Sequence, residues 1–349
     1  MTVKRIRMMV GALIIGTLHL NAGNTDFGME YTTEMQTDFR KKINWVNLLR
    51  TDFTYSPMRN ISFAMATVSI SETTADGLMD DRLTFSNIEE ENTPLAPAVI
   101  GLEWKNGASA LFIGVRNLNE DYFTSPVTSL FTNSSCGIFP TLSVNYPLAN
   151  YPCASLGIDY KLSLDKIDFE VSVYNGKGYK NFLGRDNVFR FCPSSDGVIG
   201  VTSLNYTNDV GCYYMGGAVC SSVSVSDVER TEELPEQKKE NKVNGVLWGY
   251  TERKLSDKVY LLLQASGSLN KDAECRNYFG IGSLVELGKN IEAGAFVGYA
   301  TFSTEYEVAS ELTCKIQLRR NIYVQPALHY VHNGHFSGVA GLFRMEWSI

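Results

Sequence analysis

Apolar and polar residues alternate in short runs along most of the chain. In the first run Phe27, Met29, Tyr31 and Met35 alternate with Glu30, Thr32, Glu34 and Gln36, and in the last Val339, Phe343, Met345, Trp347 and Ile349 oppose Arg344, Glu346 and Ser348. A period of two sends successive side chains to opposite faces, so each run predicts a strand with one oily and one polar side. Two clear cases between them set Ile167, Phe169, Val171 and Val173 against Asp168, Glu170, Ser172 and Tyr174, and Val308, Leu312, Cys314 and Ile316 against Glu311, Thr313, Lys315 and Gln317. Sixteen strands are predicted in all. The eighth and ninth, about 197–206 and 210–222, are the weakest, and over 210–220 neither face can be assigned.

The connections sort into two kinds. Every second one is short, at 56–60, 106–107, 164–165, 207–209, 253–256, 288–289 and 319–320, while those between include long ones near 73–95, 118–153, 176–196 and 223–242. An even strand count with turns at one end and loops at the other predicts an all-β fold, a transmembrane antiparallel up-and-down β-barrel of about sixteen strands. A soluble β-sandwich would alternate as well, but it carries no such bias in turn length. Lipid cannot satisfy an open sheet edge, so the sheet must close on itself. Strand parity puts both termini on the side of the short turns, the periplasmic side.

Composition changes this picture only in its compartment. The chain has 349 residues, 20% charged and 44% hydrophobic, and after Leu20 no window approaches the roughly 18–20 apolar residues of a membrane helix. Lys4, Arg5 and Arg7 precede an apolar run from Met8 to Leu20, with Leu20-Asn21-Ala22 at the expected cut. Residues 1–22 therefore read as a signal peptide and 23–349 as an outer-membrane barrel domain. Its removal takes away three positive charges and no negative ones, from a net −7 to −10, which argues against nucleic acid as a partner. Seven cysteines without a CxxC indicate no zinc or redox motif. The pairing of Cys136 with Cys153 stays open on compartment grounds. The charged run Ser226–Asn244 reads as a solvated loop tip.

The longest departure from alternation lies between strands five and six, within Leu111–Tyr160. About three dozen residues there are rich in Asn, Ser, Thr and Pro, yet hold Tyr122, Phe123, Phe131, Phe139, Tyr146 and Tyr151. That is too aromatic for a disordered linker and too long for an ordinary connection. An ordered loop folded inward after strand five is expected. Phe131 and Phe139 are expected to pack and hold it in place.

This stretch resembles the carbohydrate-selective porins of the OprB family. The residues that carry the likeness are Gly114-Val115-Arg116, Asn119-Glu120-Asp121-Tyr122-Phe123 and Leu130-Phe131-Thr132-Asn133-Ser134-Ser135-Cys136-Gly137. They continue into Pro140, Pro147, Tyr151-Pro152 and Leu156-Gly157-Ile158, with a weaker match through Tyr174-Asn175-Gly176, Glu311-Leu312-Thr313 and Gln325-Pro326. The chain departs from the family in its short length, in Cys136 where an apolar residue is expected, and in ending on Ile349. The resemblance implies a sixteen-stranded outer-membrane barrel that passes sugars passively through a constriction lined by charged residues, arginines among them.

The inward faces supply Arg50, Glu103, Arg116, Lys161, Glu311, Lys315, Arg344 and Glu346 as candidate pore-lining groups, and the loop adds Asn119, Asp121, Tyr122 and Phe123. Arg116 leads them, because it stands where strand five hands over to the loop. Charged hydrogen-bonding groups beside aromatic surfaces suit mono- or oligosaccharides, with outer-membrane lipid and lipopolysaccharide around the wall and no cofactor. A general or anion-selective diffusion porin is the alternative; association of barrels into a homo-oligomer stays open. An enzyme is not expected. Outside the leader the only histidines are His329, expected to face the lumen, and His332 and His335 in an external turn, without a nucleophile beside them.

Overall fold

The computed structural model describes residues 24–74, 77–225 and 239–349. Among them sixteen antiparallel strands form one closed barrel. The first eight are β1 (Thr25–Thr37), β2 (Ile43–Met58), β3 (Ile61–Glu72), β4 (Thr93–Asn106), β5 (Ser109–Arg116), β6 (Ser155–Ser163), β7 (Ile167–Asn175) and β8 (Val198–Asn208). The remaining eight are β9 (Gly211–Val225), β10 (Lys239–Ser256), β11 (Val259–Ser268), β12 (Cys275–Gly288), β13 (Ile291–Phe302), β14 (Tyr306–Arg319), β15 (Ile322–Asn333) and β16 (Ser337–Ser348). Each strand pairs with its neighbour in sequence, and β1 pairs with β16 from Glu30 opposite Ser348 to Thr37 opposite Gly341. The seam is finished by reciprocal backbone bonds between Met29 and Ile349, at 2.8 and 3.2 Å. The alternation thus predicts the number of strands, their order and the ends that carry turns. The leader 1–22 lies outside the described residues, as does most of the charged run 226–244.

The outer face is oily. Ile158, Val173, Met215, Leu247, Ile281, Val297, Leu312 and Phe343 are all exposed there, on eight different strands. Aromatic pairs mark both rims: Tyr206 stacks on Tyr213 at the turn joining β8 and β9, and Tyr299 on Tyr306 at the loop joining β13 and β14. An apolar band between aromatic girdles is what a bilayer requires of a barrel wall.

Inside, the two halves of the wall differ. Along β8 to β13 the inward side chains include Ile199, Val201, Tyr214, Trp248, Leu262, Tyr278 and Phe296, all buried in one cluster with Phe123, Leu130, Phe131, Phe139 and Leu142 of the loop at 117–154. The loop lies on this half of the wall and covers it. It carries three 3-10 turns, Leu118–Glu120, Thr128–Leu130 and Ser134–Cys136, and one α-helical turn, α1 (Pro140–Ser143). Phe131 and Phe139 pack as the sequence leads one to expect, at 5.3 Å from Phe296 and 5.9 Å from Tyr278. A second loop, 73–92, also turns inward, which the sequence reading does not anticipate. Its Leu83 joins the same cluster, Phe85 packs on Ala327 and Ala340, and Ile88 packs among Val46, Val68 and Phe112.

The orientation of the wall has a direct test. Ile281→Arg, on the outer face, should destabilise the barrel in lipid vesicles by about 2–4 kcal/mol, the cost of Arg near the bilayer midplane. Thr54→Arg, on the inner face, should cost less than about 1 kcal/mol. Urea unfolding followed by tryptophan fluorescence separates the two, and equal costs would contradict the facing described.

Candidate functional site: the root of the inward loop

The site begins with three glycines in register across neighbouring strands. Gly101 in β4 lies opposite Gly114 in β5, and Gly114 opposite Gly157 in β6. A Cβ on Gly101 would stand 2.4 Å from the Phe112 ring, and one on Gly157 2.1 Å from the Tyr174 ring. Both rings therefore lie flat on bare backbone. The Phe112 ring then carries the Arg116 guanidinium, 4.5 Å from its centroid, a cation–π contact that aims a charged fork at the loop.

The loop starts at once. Asn117 caps its first turn, accepting the Asn119 N–H at 2.7 Å, and Leu118 N–H bonds to Ala149 O at 2.8 Å, which closes the loop at its base. Asn119 Oδ1 accepts the Tyr151 N–H from the returning limb. Asp121 then meets Arg116 at 2.8 Å. Burial pushes the Asp121 carboxyl up to about 6, with Arg116 opposing that shift. Tyr122 is fully buried with its hydroxyl 2.7 Å from Ser172 Oγ. Phe123 adopts a φ of 69° and lodges 5.3 Å from Trp248.

Opposite this root stands Arg50 of β2. Its fork donates to Glu120 of the loop at 2.7 and 3.0 Å and to Asp52 at 2.8 and 3.0 Å. Glu103 pairs with Lys105 at 2.8 Å and Lys161 lies 3.8 Å from Glu170. These groups keep water-facing edges: 26% exposure for the Arg50 side chain, 44% for Asp52, 18% for Arg116 and 39% for Lys161. The result is a ladder of paired charges on β2 and β4–β6, facing the loop root.

Not all the sequence-selected residues line that ladder. Glu311 is 1% exposed and accepts the Thr132 and Asn133 N–H groups at 2.9 Å each. Arg344 is 6% exposed, donates to Glu34 at 2.6 Å, and reaches Asn87 of the second loop at 2.6 Å. These two, with Tyr122 and Phe123, are corrected from lining groups to anchors under the loops. Alternation shows which way a side chain points but not what covers it. His329 does point inward, yet it is buried beneath the loop with Nε2 3.0 Å from Thr132 Oγ1. Lys315 lies over the Tyr323 ring at 3.9 Å, and Glu346 bonds to the Tyr323 hydroxyl. All seven cysteines are free thiols, Cys136 and Cys153 included.

Three residues that the sequence reading passed over complete the anchorage. Glu252 accepts the Val127 N–H at 2.9 Å and bonds to the Ser125 hydroxyl. Glu307 takes the Arg82 and Leu83 N–H groups at 2.9 and 2.8 Å. Glu34 accepts the Ser86 hydroxyl at 2.7 Å. Each is a carboxylate on the inward face of its strand, the one signal that could have found them.

Among solved structures the chain is similar to OprB of Pseudomonas putida in its high-pH structure, with a TM-score of 0.77 at 13% identity, over 93% of this chain and 94% of that one. The fold is that of OprB. The chain is also similar to a loop L8 deletion mutant of OmpT, an outer membrane protein of Vibrio cholerae, with a TM-score of 0.59, 11% identity, and 93% and 99% of the two chains covered. A mutant of the Rh. blastica porin gives 0.57 at 9% identity, over 93% and 100%. No family model and no curated protein matches the chain. The OprB-like barrel is thus established by shape rather than by sequence identity.

Two predictions follow the anchors. Glu311→Gln keeps the shape but weakens a charged acceptor of three donors, so the barrel should lose about 1–3 kcal/mol. Limited proteolysis should then cut within 117–154 more readily than in the parent. The second concerns pH. Burial first, and neighbouring carboxylates next, push Asp81 and Glu89 of the second loop each up to about 7. A raised acid favours the folded state below its unfolded value near 4 and loses that contribution as pH rises through 7. Cleavage within 73–92 should therefore be slower at pH 5 than at pH 8, and Asp81→Asn should flatten the difference.

Proposed function

We propose that the chain is an outer-membrane porin of the OprB family, through which carbohydrates diffuse passively into the periplasm. One observation carries the reading: every one of these water-facing cations at the loop root is paired with at least one carboxylate. Arg50 lies between Asp52 and Glu120, Arg116 beside Asp121, and Lys105 beside Glu103. An anion pathway would leave cations in excess. A paired ladder instead offers donors and acceptors side by side, which is what a neutral polyhydroxyl solute can use. Weak, repeated contacts let the solute leave as readily as it enters. The shared barrel with OprB and the likeness at 111–176 support the same assignment. The oily outer band suits the lipid and lipopolysaccharide of that membrane. Catalysis has no part in this reading.

Reconstitution in planar bilayers tests it. A salt gradient should give a reversal potential that shows no preference for anions. Added mono- or oligosaccharide should lower the conductance with a half-effect on the order of millimolar, a binding free energy of about −4 kcal/mol. Arg50→Ala removes charge-assisted bonds of roughly 1.5–3 kcal/mol, and should raise the conductance and weaken the sugar effect about tenfold or more. Conductance indifferent to every sugar, with a strong anion preference, would instead identify an anion-selective diffusion porin.

A further inference from the structure

Beside the Arg116–Asp121 pair the wall brings two more carboxylates to the same place. Asp159 of β6 and Glu170 of β7 point inward, and one oxygen from each of Asp121, Asp159 and Glu170 lies within 4.8 Å of the other two. Asp159 and Glu170 are each only 4% exposed. Two cations face the three acids: Arg116, 2.8 Å from Asp121, and Lys161, 3.8 Å from Glu170 and partly in water. One negative charge is left over. Asp159 Oδ2 and Glu170 Oε1 are buried, with no partner except each other's carboxyl.

A fourth group marks the spot independently. Tyr174 is fully buried, with its ring laid across Gly157, two residues before Asp159 on the same inward face. Its hydroxyl has no hydrogen-bond partner. A proton shared between Asp159 and Glu170 would cancel the excess charge, but it joins only two oxygens. A hard cation draws oxygen ligands from every side at once.

We propose that Asp121, Asp159 and Glu170 form a binding site for a hard divalent cation of the Ca²⁺ class, on the inward face that also carries the buried Tyr174 hydroxyl. The ligands come from the loop root and two wall strands, an irregular set that Ca²⁺ accepts and that octahedral, strongly hydrated Mg²⁺ does not. Lys161, half-exposed on a flexible stem, turns to water when the ion enters. The ion then ties Asp121 to β6 and β7 and fixes the position of the Arg116 fork. The site stands whether or not the solute is a sugar.

Terbium is the probe, because an adjacent tyrosine sensitises its emission and Ca²⁺ competes for the same oxygens. The barrel in detergent should give saturable Tb³⁺ emission on tyrosine excitation, displaced by Ca²⁺ with a constant on the order of 0.1–1 mM, as in extracellular calcium modules. The double variant Asp159→Asn, Glu170→Gln should weaken both at least about tenfold. The parent should also unfold at a higher temperature in millimolar Ca²⁺ than in EDTA. Emission that does not saturate, is not displaced by Ca²⁺, or survives unchanged in the double variant overturns the site. So does an unfolding temperature indifferent to Ca²⁺, the result expected of a shared proton, and that measurement needs no variant to fold. Sugar block of conductance is read separately, so either reading can fail alone.

Discussion

A wide barrel is selective only if its loops stay inside it, and here one contact, used repeatedly, keeps them there. A carboxylate on the wall accepts backbone N–H groups of a loop: Glu252 from Val127, Glu307 from Arg82 and Leu83, Glu311 from Thr132 and Asn133. Loop backbone lacks the ladder partners that strands give one another, and buried away from water each unpaired N–H is costly. A carboxylate solves this efficiently, because it accepts several donors and forms stronger bonds as an ion. The donors in turn make its own burial tolerable. Each side of the contact removes the penalty of the other. Nearby, Arg344 adds a cation that binds Glu34 and Asn87, drawing β1, β16 and the second loop together.

The grip of the wall also explains what the sequence could and could not disclose. Alternation between oily and polar residues reveals a barrel where lipid lies on one side and water on the other. That contrast is strong at Ile167–Tyr174 and Val308–Gln317, and the strands there follow from it. It fails at β9, where inward Tyr214, Ala218 and Cys220 are buried while outward Met215 and Val219 are exposed to lipid. The inner face is apolar there because the loop at 117–154 covers it, so both faces read alike. The same cover turned Glu311 from a lumen charge into an anchor, and the second loop did so for Arg344. Pairing between a loop and a strand nearly two hundred residues away leaves no local pattern. The infolding of 73–92 escaped for a related reason: Leu78, Leu83, Phe85 and Ile88 are too irregularly spaced to signal a packed face.

The loop root differs, since its geometry is largely local. Arg116, Asn119, Asp121, Tyr122 and Phe123 lie within eight residues and take their places from one strand end and one capped turn. The glycines beneath it belong to the same logic. A side chain at Gly101 or Gly157 would lift the Phe112 or Tyr174 ring from the wall, and at Gly114 it would stand 2.3 Å from the Ile100 carbonyl oxygen. Their role needs the strand register, in which Gly101, Gly114 and Gly157 become neighbours. Separations of thirteen and forty-three residues hide that.

The two halves of the interior therefore do different physical work. Along β8 to β13, aromatic and aliphatic side chains bury the loop and hold it by area, a non-directional attraction that would accept many sequences of similar bulk. Along β2 and β4–β6, charged side chains meet the loop root in discrete pairs whose geometry is fixed by guanidinium forks and flat rings. Anchoring the loop on the apolar half is what leaves the charged half facing water. Substitutions in the first half should alter how firmly the loop is held, and those in the second what can pass it. Arg50 belongs to both, since its fork joins the wall to Glu120 while a quarter of its side chain stays exposed. The charge that holds the loop root in place is thereby also a charge that faces water.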